Sequence, residues 1–450
     1  MLNNKKNNSK FAMVPVIFSL AWPTMIEQLM QTAVQYIDTA MVGGLGTSAT
    51  AAVGATTTVN WLVGSTISAL GVGFLSIIAK AFGAGDKSRA SRVVSQAVLV
   101  TLVSGILFTI LTLSLSSMVP VWMQVDPAIQ ELAGTYFFIL YMPMLPRAAT
   151  IIFGTALRAA GDTKTPMKIG IWVNVINVIL NFILIYGVNL GVIGAAIASA
   201  IAFTVGGILI TVKLWQHPVI SPKGQSFKPD KEILGPCLKV AFPNMLQRFG
   251  TSLGYVFFAS MINSLGEIST AAHTIANTVE SAFYIPGYGM QTAAATLSGN
   301  AYGAGDKKRM KELARMIILI EVLLMIVSGG LLFLFAPTMM KLFTRDAQVI
   351  LLGSIVLRMV AVSEPFFGAS IIIEGMLQGV GKTIMPFIFN IIGMWGIRIV
   401  GTFICTQLLE MGLVAAWACM IAHNLLLFVL FIIHYVRGRW NPLNSRPNAA

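Results

Sequence analysis

The sequence predicts an all-α membrane protein in which twelve transmembrane helices form two parallel six-helix repeats around a central cavity. Three observations lead to this fold class. Hydrophobic residues make up 56% of the 450 residues and charged residues 10%, whereas soluble domains carry about a quarter charged residues. Apolar stretches of about twenty residues recur along the whole chain. In addition, the second half of the sequence matches the first half at a constant offset.

Each apolar stretch is long enough to cross roughly 30 Å of hydrocarbon as a helix that rises about 1.5 Å per residue. We predict transmembrane helices at residues 14–42, 52–79, 93–118, 132–157, 166–187, 190–212, 236–263, 272–300, 315–337, 350–378, 385–406 and 412–436. The first ten residues are polar and basic, and no short apolar core with a cleavage site follows them. We therefore expect the first helix to stay in the protein.

Lysine and arginine residues are unevenly distributed between the loops on the two sides of the predicted helices. The loops on the side of the termini carry 24 of them, and the opposite loops carry two, Lys341 and Arg345. The positive-inside rule therefore predicts that both termini lie in the cytoplasm. The net charge of +13 has the same explanation, because no soluble module offers a basic face to a nucleic acid.

The two halves of the sequence match when residues are paired at an offset of 220. The matched pairs include Phe82–Lys87 with Tyr302–Lys307, Pro23 with Pro243, Gly161 with Gly381 and, after a slip of one residue, Gly191 with Gly412. Six helices in each repeat give both halves the same orientation. A pseudo-twofold axis along the membrane normal is therefore expected to relate them.

This repeat divides the chain into three predicted parts. They are an N-lobe of six helices at residues 1–216, a cytoplasmic linker at 217–232 and a C-lobe of six helices at 233–450. Two parallel bundles that face a central cavity are typical of transporters that work by alternating access. The sequence has no GxxxxGK[ST] loop, so ATP is not the evident energy source, and we interpret the two GAGDK strings as tight cytoplasmic turns.

The sequence offers little for other classes of membrane protein. The three cysteines, Cys237, Cys405 and Cys419, have none of the spacings of zinc or redox motifs, and the four histidines are scattered. A membrane-embedded enzyme is therefore not favoured, and we expect no cofactor. A passive channel stays an alternative at this point.

Acidic residues inside predicted helices are functional candidates because charge is costly in a bilayer. Asp38 lies about 7 Å from the outer end of the first helix and has no cationic neighbour in sequence. On the fifth helix Asn177 and Asn181 are one turn apart, roughly 15 and 9 Å below its outer end, and Ser199 on the sixth is about 12 Å deep. A carboxylate, two amides and a hydroxyl at similar depths form a candidate site for a hard cation or a proton.

A structural interpretation of this cluster is also open, because asparagine side chains often join transmembrane helices by hydrogen bonds. The repeat gives an argument for function. At the constant offset, the residues that correspond to Asp38, Asn177 and Asn181 are Phe258, Ile397 and Gly401. The polar cluster thus occurs in the first half alone, whereas a purely structural cluster might be kept in both.

Weaker candidates lie elsewhere in the predicted helices. Glu280, which pairs with Asn60 at the offset, and Glu27 in the first helix are candidates for a second proton or substrate site. Methionine and aromatic side chains accommodate substrates of varied shape. The residues that we assign to such a cavity are Tyr36, Tyr284, Tyr288, Met290 and Trp395. Arginines within the predicted helices, which would suit an anionic substrate, are Arg147, Arg248 and Arg358.

With these residues in view, the chain resembles the multidrug and toxic compound extrusion (MATE) family over essentially its whole length. The resemblance rests on Asp38–Gly43, the paired Gly-Ala-Gly-Asp turns, Leu157–Asp162 and Met394–Arg398. It implies twelve helices in two bundles, and export of organic, often cationic, compounds in exchange for Na⁺ or H⁺.

The resemblance also implies positions for the cation site. The family places an acid on the first helix, two polar residues four apart on the fifth and a hydroxyl on the sixth, and these positions fall on Asp38, Asn177, Asn181 and Ser199. Members often have Asp and Thr where this chain has Asn181 and Ser199. Some Na⁺-coupled members also carry an acid on the seventh helix, where this chain has Thr251.

Together these observations predict a monomeric antiporter of the cell membrane, with small organic molecules as substrates and the lipid bilayer as its surroundings. The coupling ion is H⁺ or Na⁺, and the ligands for Na⁺ would be Asp38, Asn177 and Asn181. The alternative is a flippase or exporter of a lipid-linked or anionic substrate with the same two-bundle architecture.

Overall fold

The computed structural model describes residues 13–123 and 125–444, and its regular elements there are helices. Twelve long helical segments follow one another along this part of the chain, and the fourth is bent by 50° between its two parts. Their bounds are α1 Met13–Gly43, α2 Thr47–Gly83, α3 Lys87–Ser114, α4 Pro127–Tyr141 with Met144–Ala159, α5 Lys164–Gly187, α6 Gly191–Trp215, α7 Lys231–Asn263, α8 Glu267–Gly303, α9 Lys307–Lys341, α10 Ala347–Gly379, α11 Ile384–Leu408 and α12 Leu413–Val436. This is the all-α fold class that the sequence predicts.

Most of these helices have the composition of membrane spans. Within the described residues, nine are long and apolar enough to cross a membrane, or ten when the bent α4 counts as one span. The other two, α7 and α8, have 33 and 37 residues and are long enough at about 1.5 Å per residue. The chain is therefore a multi-pass membrane protein. Four terminal cations that the topology prediction counts lie outside the described residues, namely Lys5, Lys6, Lys10 and Arg446.

The two Gly-Ala-Gly-Asp strings form matching tight turns between helices. Gly85 and Gly305 adopt φ values of +74° and +70°, in the left-handed region that favours glycine after a helix end. In the first turn the Asp86 carboxylate accepts a hydrogen bond from the backbone N–H of Arg89 at 2.9 Å, and the aspartate of the second turn does the same at 2.8 Å. Each string therefore ends one helix and caps the next.

The described residues form two compact units. The first-repeat unit is Ile26–Ala241, and the second-repeat unit contains the described residues up to Met25 and those from Phe242 onward. Both boundaries fall inside the first helix of a repeat, α1 or α7. Each unit encloses buried apolar side chains, and in the second-repeat unit the largest of these include Trp417 and Phe431.

A π-helical stretch accounts for the slip in the repeat register. In α11 the segment Ile392–Ile399 is π-helical, whereas α5 is α-helical over Lys164–Asn181. A π turn takes up an extra residue without ending the helix. Burial follows the shifted register, because the buried side chains of α5 at Val173, Asn177, Asn181 and Ile185 correspond at an offset of 221 to buried side chains of α11 at Met394, Arg398, Thr402 and Thr406.

The segment between α6 and α7 packs on α3 within the first-repeat unit. Gln96 Nε2 donates a hydrogen bond to the Lys228 carbonyl at 2.9 Å, and Arg92 forms an ion pair with Asp230. At the start of the segment, His217 Nδ1 accepts hydrogen bonds from two backbone N–H groups at 3.2 Å. Burial lowers the pKa of His217, which favours the neutral ring that can accept these bonds.

Candidate functional site

Asp38, Asn177, Asn181 and Ser199 form one connected polar cluster in the first-repeat unit. Asn181 Nδ2 donates a hydrogen bond to Asp38 Oδ1 at 2.6 Å and another to Asn177 Oδ1 at 3.2 Å. Asn177 Nδ2 donates to Ser199 Oγ at 3.0 Å. The structure thus brings together the four side chains that the sequence singles out, from α1, α5 and α6.

The local sequence explains why these side chains converge. Asn177 and Asn181 are one turn apart on α5 and lie on its buried face, with exposed fractions of 6% and 1%. The connection to α6 is short, and in it Asn189 and Gly191 adopt φ values of +59° and +55°. Because the chain reverses direction in this short connection, α6 packs against α5. Ser199 on α6 therefore lies next to the two asparagines.

The Asn177 amide fits its surroundings better when its oxygen and nitrogen are exchanged. When the amide is rotated by half a turn, its nitrogen lies 3.0 and 3.1 Å from the two Asp38 oxygens and its oxygen accepts from Ser199 at 3.0 Å. Amide orientation is assigned from the hydrogen-bond network. A carboxylate without a cation needs the rotated form, which supplies donors, whereas a bound cation would need the other form, which supplies an oxygen ligand.

The cluster is rich in oxygen atoms that could hold an ion. Asn181 Oδ1 is buried and has no hydrogen-bond partner among the described residues. The Asp38 carboxylate, the Asn177 carbonyl oxygen and the Ser199 hydroxyl lie in the same connected group. Carboxylate and neutral oxygens are the ligands that hard cations take, and a carboxyl group can carry a proton instead. The arrangement can therefore serve either ion.

The corresponding place in the second-repeat unit is occupied by different residues. At the register set by the π-helical stretch, Asn177 corresponds to Arg398 and Asn181 to Thr402. The sequence comparison, made at a constant offset, paired these asparagines with Ile397 and Gly401. That pairing is wrong because it omits the extra residue that α11 accommodates.

Arg398 places a fixed positive charge at this position. Its guanidinium carbon lies 4.3 Å from the centre of the Phe258 ring and 4.6 Å from that of the Tyr255 ring. Phe258 corresponds to Asp38 at the 220 offset. Arg398 is 3% exposed, so the aromatic faces hold a desolvated cation. Where the first-repeat unit has a carboxylate and amides, the second has a guanidinium and rings.

Glu27, a candidate for a second proton site, is engaged in an ion pair. Both of its carboxylate oxygens accept hydrogen bonds from Arg158 Nη2, at 2.7 and 2.8 Å. Two glycines border the pair, since a Cβ on Gly154 would lie 3.6 Å from Arg158 Nη1 and one on Gly170 3.5 Å from Glu27 Cγ. This geometry favours a structural link between α1 and α4 over a proton-binding role for Glu27.

The second-repeat unit has three amides around one carboxylate at the matching positions. Glu374 Oε1 accepts hydrogen bonds from Gln247 at 2.8 Å and Gln378 at 3.1 Å, and Oε2 accepts from Asn390 at 3.2 Å. At the 220 offset, Gln247, Gln378, Glu374 and Asn390 correspond in turn to Glu27, Arg158, Gly154 and Gly170. The same helices of each repeat are therefore linked at the same positions by different chemistry.

Glu280 lies on α8 in the second-repeat unit and is 7% exposed. It forms no ion pair among the described residues, although it interacts electrostatically with Arg398. Another buried acid of this unit, Glu321 on α9, has no hydrogen-bond partner for either carboxylate oxygen among the described residues. Glu280 therefore remains a candidate for a second proton or substrate site.

The five residues assigned to a substrate cavity have different surroundings. Met290 is fully buried in a hydrophobic core, so here it packs between helices instead of lining a cavity. Trp395 donates its ring N–H to a backbone carbonyl of α7 at 3.0 Å. Tyr284 and Tyr288 contact each other edge to face at 5.5 Å, and Tyr36 is exposed.

A second polar group in the first-repeat unit surrounds Arg147, which the sequence singles out, and adds Phe203, Tyr141 and Asn60, which it does not. The guanidinium carbon of Arg147 lies 4.8 Å from the centre of the Phe203 ring and 5.7 Å from that of the Tyr141 ring. The Tyr141 hydroxyl donates to Asn60 Oδ1 at 3.1 Å. The available signal was an arginine in an apolar helix with no acidic residue within one turn of it.

The comparison with known families identifies the chain. The model of the MatE family matches residues 23–183 and again residues 243–404. This chain belongs to the MatE family. The two matched stretches begin 220 residues apart and end 221 apart, which agrees with the slip that the π-helical stretch explains.

Relatives of this MatE protein are described as multidrug resistance proteins and transporters. It is 28% identical over 435 residues to the probable multidrug resistance protein NorM of Thermotoga maritima, covering 94% of this chain and 92% of that protein. The crystal structure of a MATE protein in complex with MaD3S superposes with a TM-score of 0.90 at 26% identity, covering 96% of this chain and 97% of the other. A MOP superfamily transporter from Pyrococcus furiosus, whose binding pocket is described as having reverse polarity, gives 0.88 at 26% identity, with 96% of both chains covered. The protein is a multi-pass transporter of the multidrug and toxin extrusion family.

Proposed function

We propose that this MatE protein is a secondary active antiporter that exports organic, often cationic, compounds in exchange for H⁺ or Na⁺ by alternating access. The observation that carries the proposal is the Asp38 cluster. It combines a carboxylate in a membrane-spanning helix, which is costly without a functional partner, with an amide oxygen of Asn181 that lacks a donor among the described residues. In the second repeat, the position that corresponds to Asn177 of this cluster is occupied by Arg398.

An ion at Asp38 drives transport only if it binds one state of the transporter more tightly than the other. In its better-fitting orientation the Asn177 amide offers N–H donors to the bare Asp38 carboxylate, whereas a bound cation would need the amide oxygen, so the free and ion-bound sites would require opposite amide orientations. We propose that the ion binds Asp38 when the site is open to the outside and biases the bundles inward, and that the drug is released to the outside. Thr251 donates its hydroxyl to the Gln247 carbonyl at 2.7 Å, and we assign no ion ligand to α7.

The protein acts as a transporter and not as an enzyme, uses no cofactor and binds no nucleic acid. It works as a monomer in the cell membrane with both termini in the cytoplasm, as the distribution of lysine and arginine favours. Glu280 is the candidate for a second proton or substrate site.

The experiment that tests the proposal is uptake of a fluorescent organic cation into inverted vesicles that contain the purified protein. A Na⁺ or an H⁺ gradient is imposed, and wild type is compared with Asp38→Asn. We expect uptake to follow one of the two gradients and to fall at least about tenfold in the variant. The matched control is Glu267→Gln, an acid-to-amide change at an exposed helix start, which should transport like wild type. Full gradient-driven uptake by Asp38→Asn would refute the mechanism.

A second candidate function is export or flipping of an anionic or lipid-linked compound. The observation that favours it is Arg147, a cation within a membrane-spanning helix whose Nη1 has no hydrogen-bond partner among the described residues. The Pyrococcus furiosus relative with a pocket of reverse polarity is described as having a different function. Under this alternative, neither gradient drives uptake of the organic cation.

A further inference from the structure

Arg147 lies deep in the membrane-spanning part of α4. Ala159, at the end of this helix, is twelve residues away, which is about 18 Å at 1.5 Å per residue. Half the hydrocarbon thickness of a bilayer is about 15 Å. A charged side chain at this depth is costly and is normally found with a partner. The headgroups of the surrounding lipid are too far away to serve as that partner.

The described residues of the first-repeat unit supply no carboxylate for Arg147. The ion pairs found there involve other arginines. The ionisable groups that act on Arg147 are the side chains of Tyr136 and Tyr141, and Tyr141 directs its proton to Asn60. Arg147 Nη1 is shielded from solvent and has no hydrogen-bond partner in this part of the chain. The guanidinium, which also donates a hydrogen bond to Tyr141, thus keeps unused N–H donors at Nη1.

The surroundings of these donors suit a flat anionic group. Phe203 and Tyr141 lie against the guanidinium, at 4.8 and 5.7 Å from its carbon to the ring centres, and such contacts occupy its face and not its N–H groups. Gly64 on α2 puts no side chain against the guanidinium, where a Cβ would be in ordinary contact with Nη2 at 4.0 Å. The free N–H groups of Nη1 can donate to a carboxylate, and an aromatic ring on that carboxylate would extend the stack.

The repeat shows that the fold itself does not require an arginine here. At the 220 offset, Arg147 corresponds to Phe367, whose ring packs 6.1 Å from that of Tyr284 in the second-repeat unit. The fourth helix of a repeat therefore packs with an apolar side chain at this position. An arginine that costs free energy in the bilayer and is not needed for packing indicates a binding role.

Building on the transporter function proposed above, we propose that Arg147 binds the carboxylate of an aromatic substrate, so that this protein prefers acidic or zwitterionic aromatic compounds to the matching cations. The proposal narrows the substrate class. It does not involve the ion at Asp38.

The test measures equilibrium binding of two fluorescent probes to the full-length protein in nanodiscs. The probes are a rhodamine with a free carboxylate and its methyl ester, which differ at that group alone. We expect wild type to bind the free acid about tenfold more tightly than the ester, a difference of about 1.4 kcal/mol. Arg147→Gln should bind both probes equally, with the affinity for the ester unchanged. Equal binding of the two probes by wild type, or a preference that survives in Arg147→Gln, would overturn the proposal.

Two further variants separate binding from structure. Arg358→Gln removes an exposed arginine that also lies over an aromatic ring, that of Phe333 at 5.7 Å, and it should keep the wild-type preference. Arg147→Lys keeps the charge but loses the planar guanidinium, so its preference should fall between those of wild type and Arg147→Gln. If Arg147 merely balanced the charge of Asp38, Arg147→Gln would change the affinities for both probes equally, which would also contradict the proposal.

The outcome is independent of the antiport mechanism. Asp38→Asn should keep the preference for the free acid in this binding assay even though it loses gradient-driven uptake. If Asp38→Asn transports normally while the preference depends on Arg147, the mechanism fails and the substrate assignment stands. A short-chain lipid phosphate that displaces the free acid, with no displacement by benzoate-type carboxylates, would reject an aromatic carboxylate as the ligand.

Discussion

The two repeats of this MatE protein share a fold but differ in the charge they place at equivalent positions. In the first-repeat unit Asp38 is joined to Asn177 and Asn181, with an unpartnered amide oxygen among the described residues. In the second-repeat unit the equivalent region has Arg398 over Phe258. The first can accept a mobile ion, whereas the second contains a cation that is covalently part of the chain. Duplication of a helix bundle therefore does not duplicate its ion site.

Structural links at equivalent positions of the two repeats also differ in their chemistry. Glu27 and Arg158 connect α1 to α4 by an ion pair, whereas Gln247 and Gln378 in the other repeat donate to one carboxylate, Glu374. The network has moved its acid from the first helix to the fourth and replaced the guanidinium by amides. In both arrangements the two oxygens of the buried carboxylate accept hydrogen bonds, as expected of a buried acid.

The largest expected effect comes from breaking the ion pair of the first-repeat unit. Arg158→Ala leaves the Glu27 carboxylate without its partner, and removal of one member of a buried pair costs about 3–5 kcal/mol. We expect a clear fall in the thermal unfolding midpoint in detergent. The double variant Glu27→Gln/Arg158→Gln, which introduces the residues found in the second repeat, should recover most of the loss. A double variant no more stable than Arg158→Ala would contradict the equivalence.

The fixed cation of the second-repeat unit can be removed and replaced from solution. Arg398→Ala should reduce transport roughly 30-fold, because a desolvated cation–π contact contributes about 2 kcal/mol or more. Added guanidinium ion should restore part of the activity, since it fits the space between the Phe258 and Tyr255 rings, and added Na⁺ should not. Arg358→Ala is the control and should transport like wild type. Equal rescue by Na⁺ would show that the two repeats do not differ as described.

Equivalent polar residues of the two repeats should respond differently to the same substitution. Asn181→Ala removes a donor to the Asp38 carboxylate, and hydrogen bonds to charged groups contribute about 1.5–3 kcal/mol. If the coupling ion is H⁺, the concentration needed for half-maximal uptake should therefore fall at least about tenfold, because the bare carboxylate loses a stabilising donor. If the ion is Na⁺, loss of the Asn181 amide oxygen as a ligand should raise that concentration. Thr402→Ala, at the equivalent position of α11, should leave that concentration unchanged. A similar shift in both variants would mean that the second repeat also binds the coupling ion.

The smallest effect is expected at the amide network of the second-repeat unit. Glu374→Gln keeps the shape of the side chain but turns one acceptor into a donor that faces other amide donors. One or two lost hydrogen bonds should cost about 1–2 kcal/mol, seen as a modest fall in the thermal midpoint with transport retained. A fall as large as that of Arg158→Ala would show that Glu374 is part of a buried charge pair.

The sequence alone predicts a large part of the fold and the ion site. Hydropathy locates the twelve helices because each must cover its backbone with apolar side chains to cross the bilayer. The Asp38 cluster is predicted because depth can be counted along a helix, and a single depth brings Asp38, Asn181 and Ser199 together in space.

Other features depend on contacts that no local pattern reveals. The pairing of Glu27 with Arg158 joins residues 131 apart in the chain. Their partnership follows from helix packing, which spacing along one helix does not specify. The full burial of Met290 depends in the same way on which face of α8 meets its neighbours.

The repeat register of α11 is the feature that the sequence comparison predicted incorrectly. The pairing of Gly191 with Gly412 reveals that one residue has been added, but not where. The π-helical stretch at Ile392–Ile399 locates the extra residue in this part of α11, and the burial of Met394 and Arg398 places it before Met394. Sequence alone does not show this because a π turn has no distinct composition. The correspondence of Arg398 to Asn177, on which the comparison of the two repeats depends, could not be derived without the position of this extra residue.

The most direct test of the central claim is the number of coupling ions bound per chain. Radioactive sodium binding, together with proton release measured in weakly buffered solution, would be recorded for purified wild type and for Asp38→Asn. We expect one exchangeable ion fewer per chain, either Na⁺ or H⁺, for Asp38→Asn than for wild type. An equal number of exchangeable ions in the two proteins would contradict the assignment of the coupling ion to the Asp38 cluster.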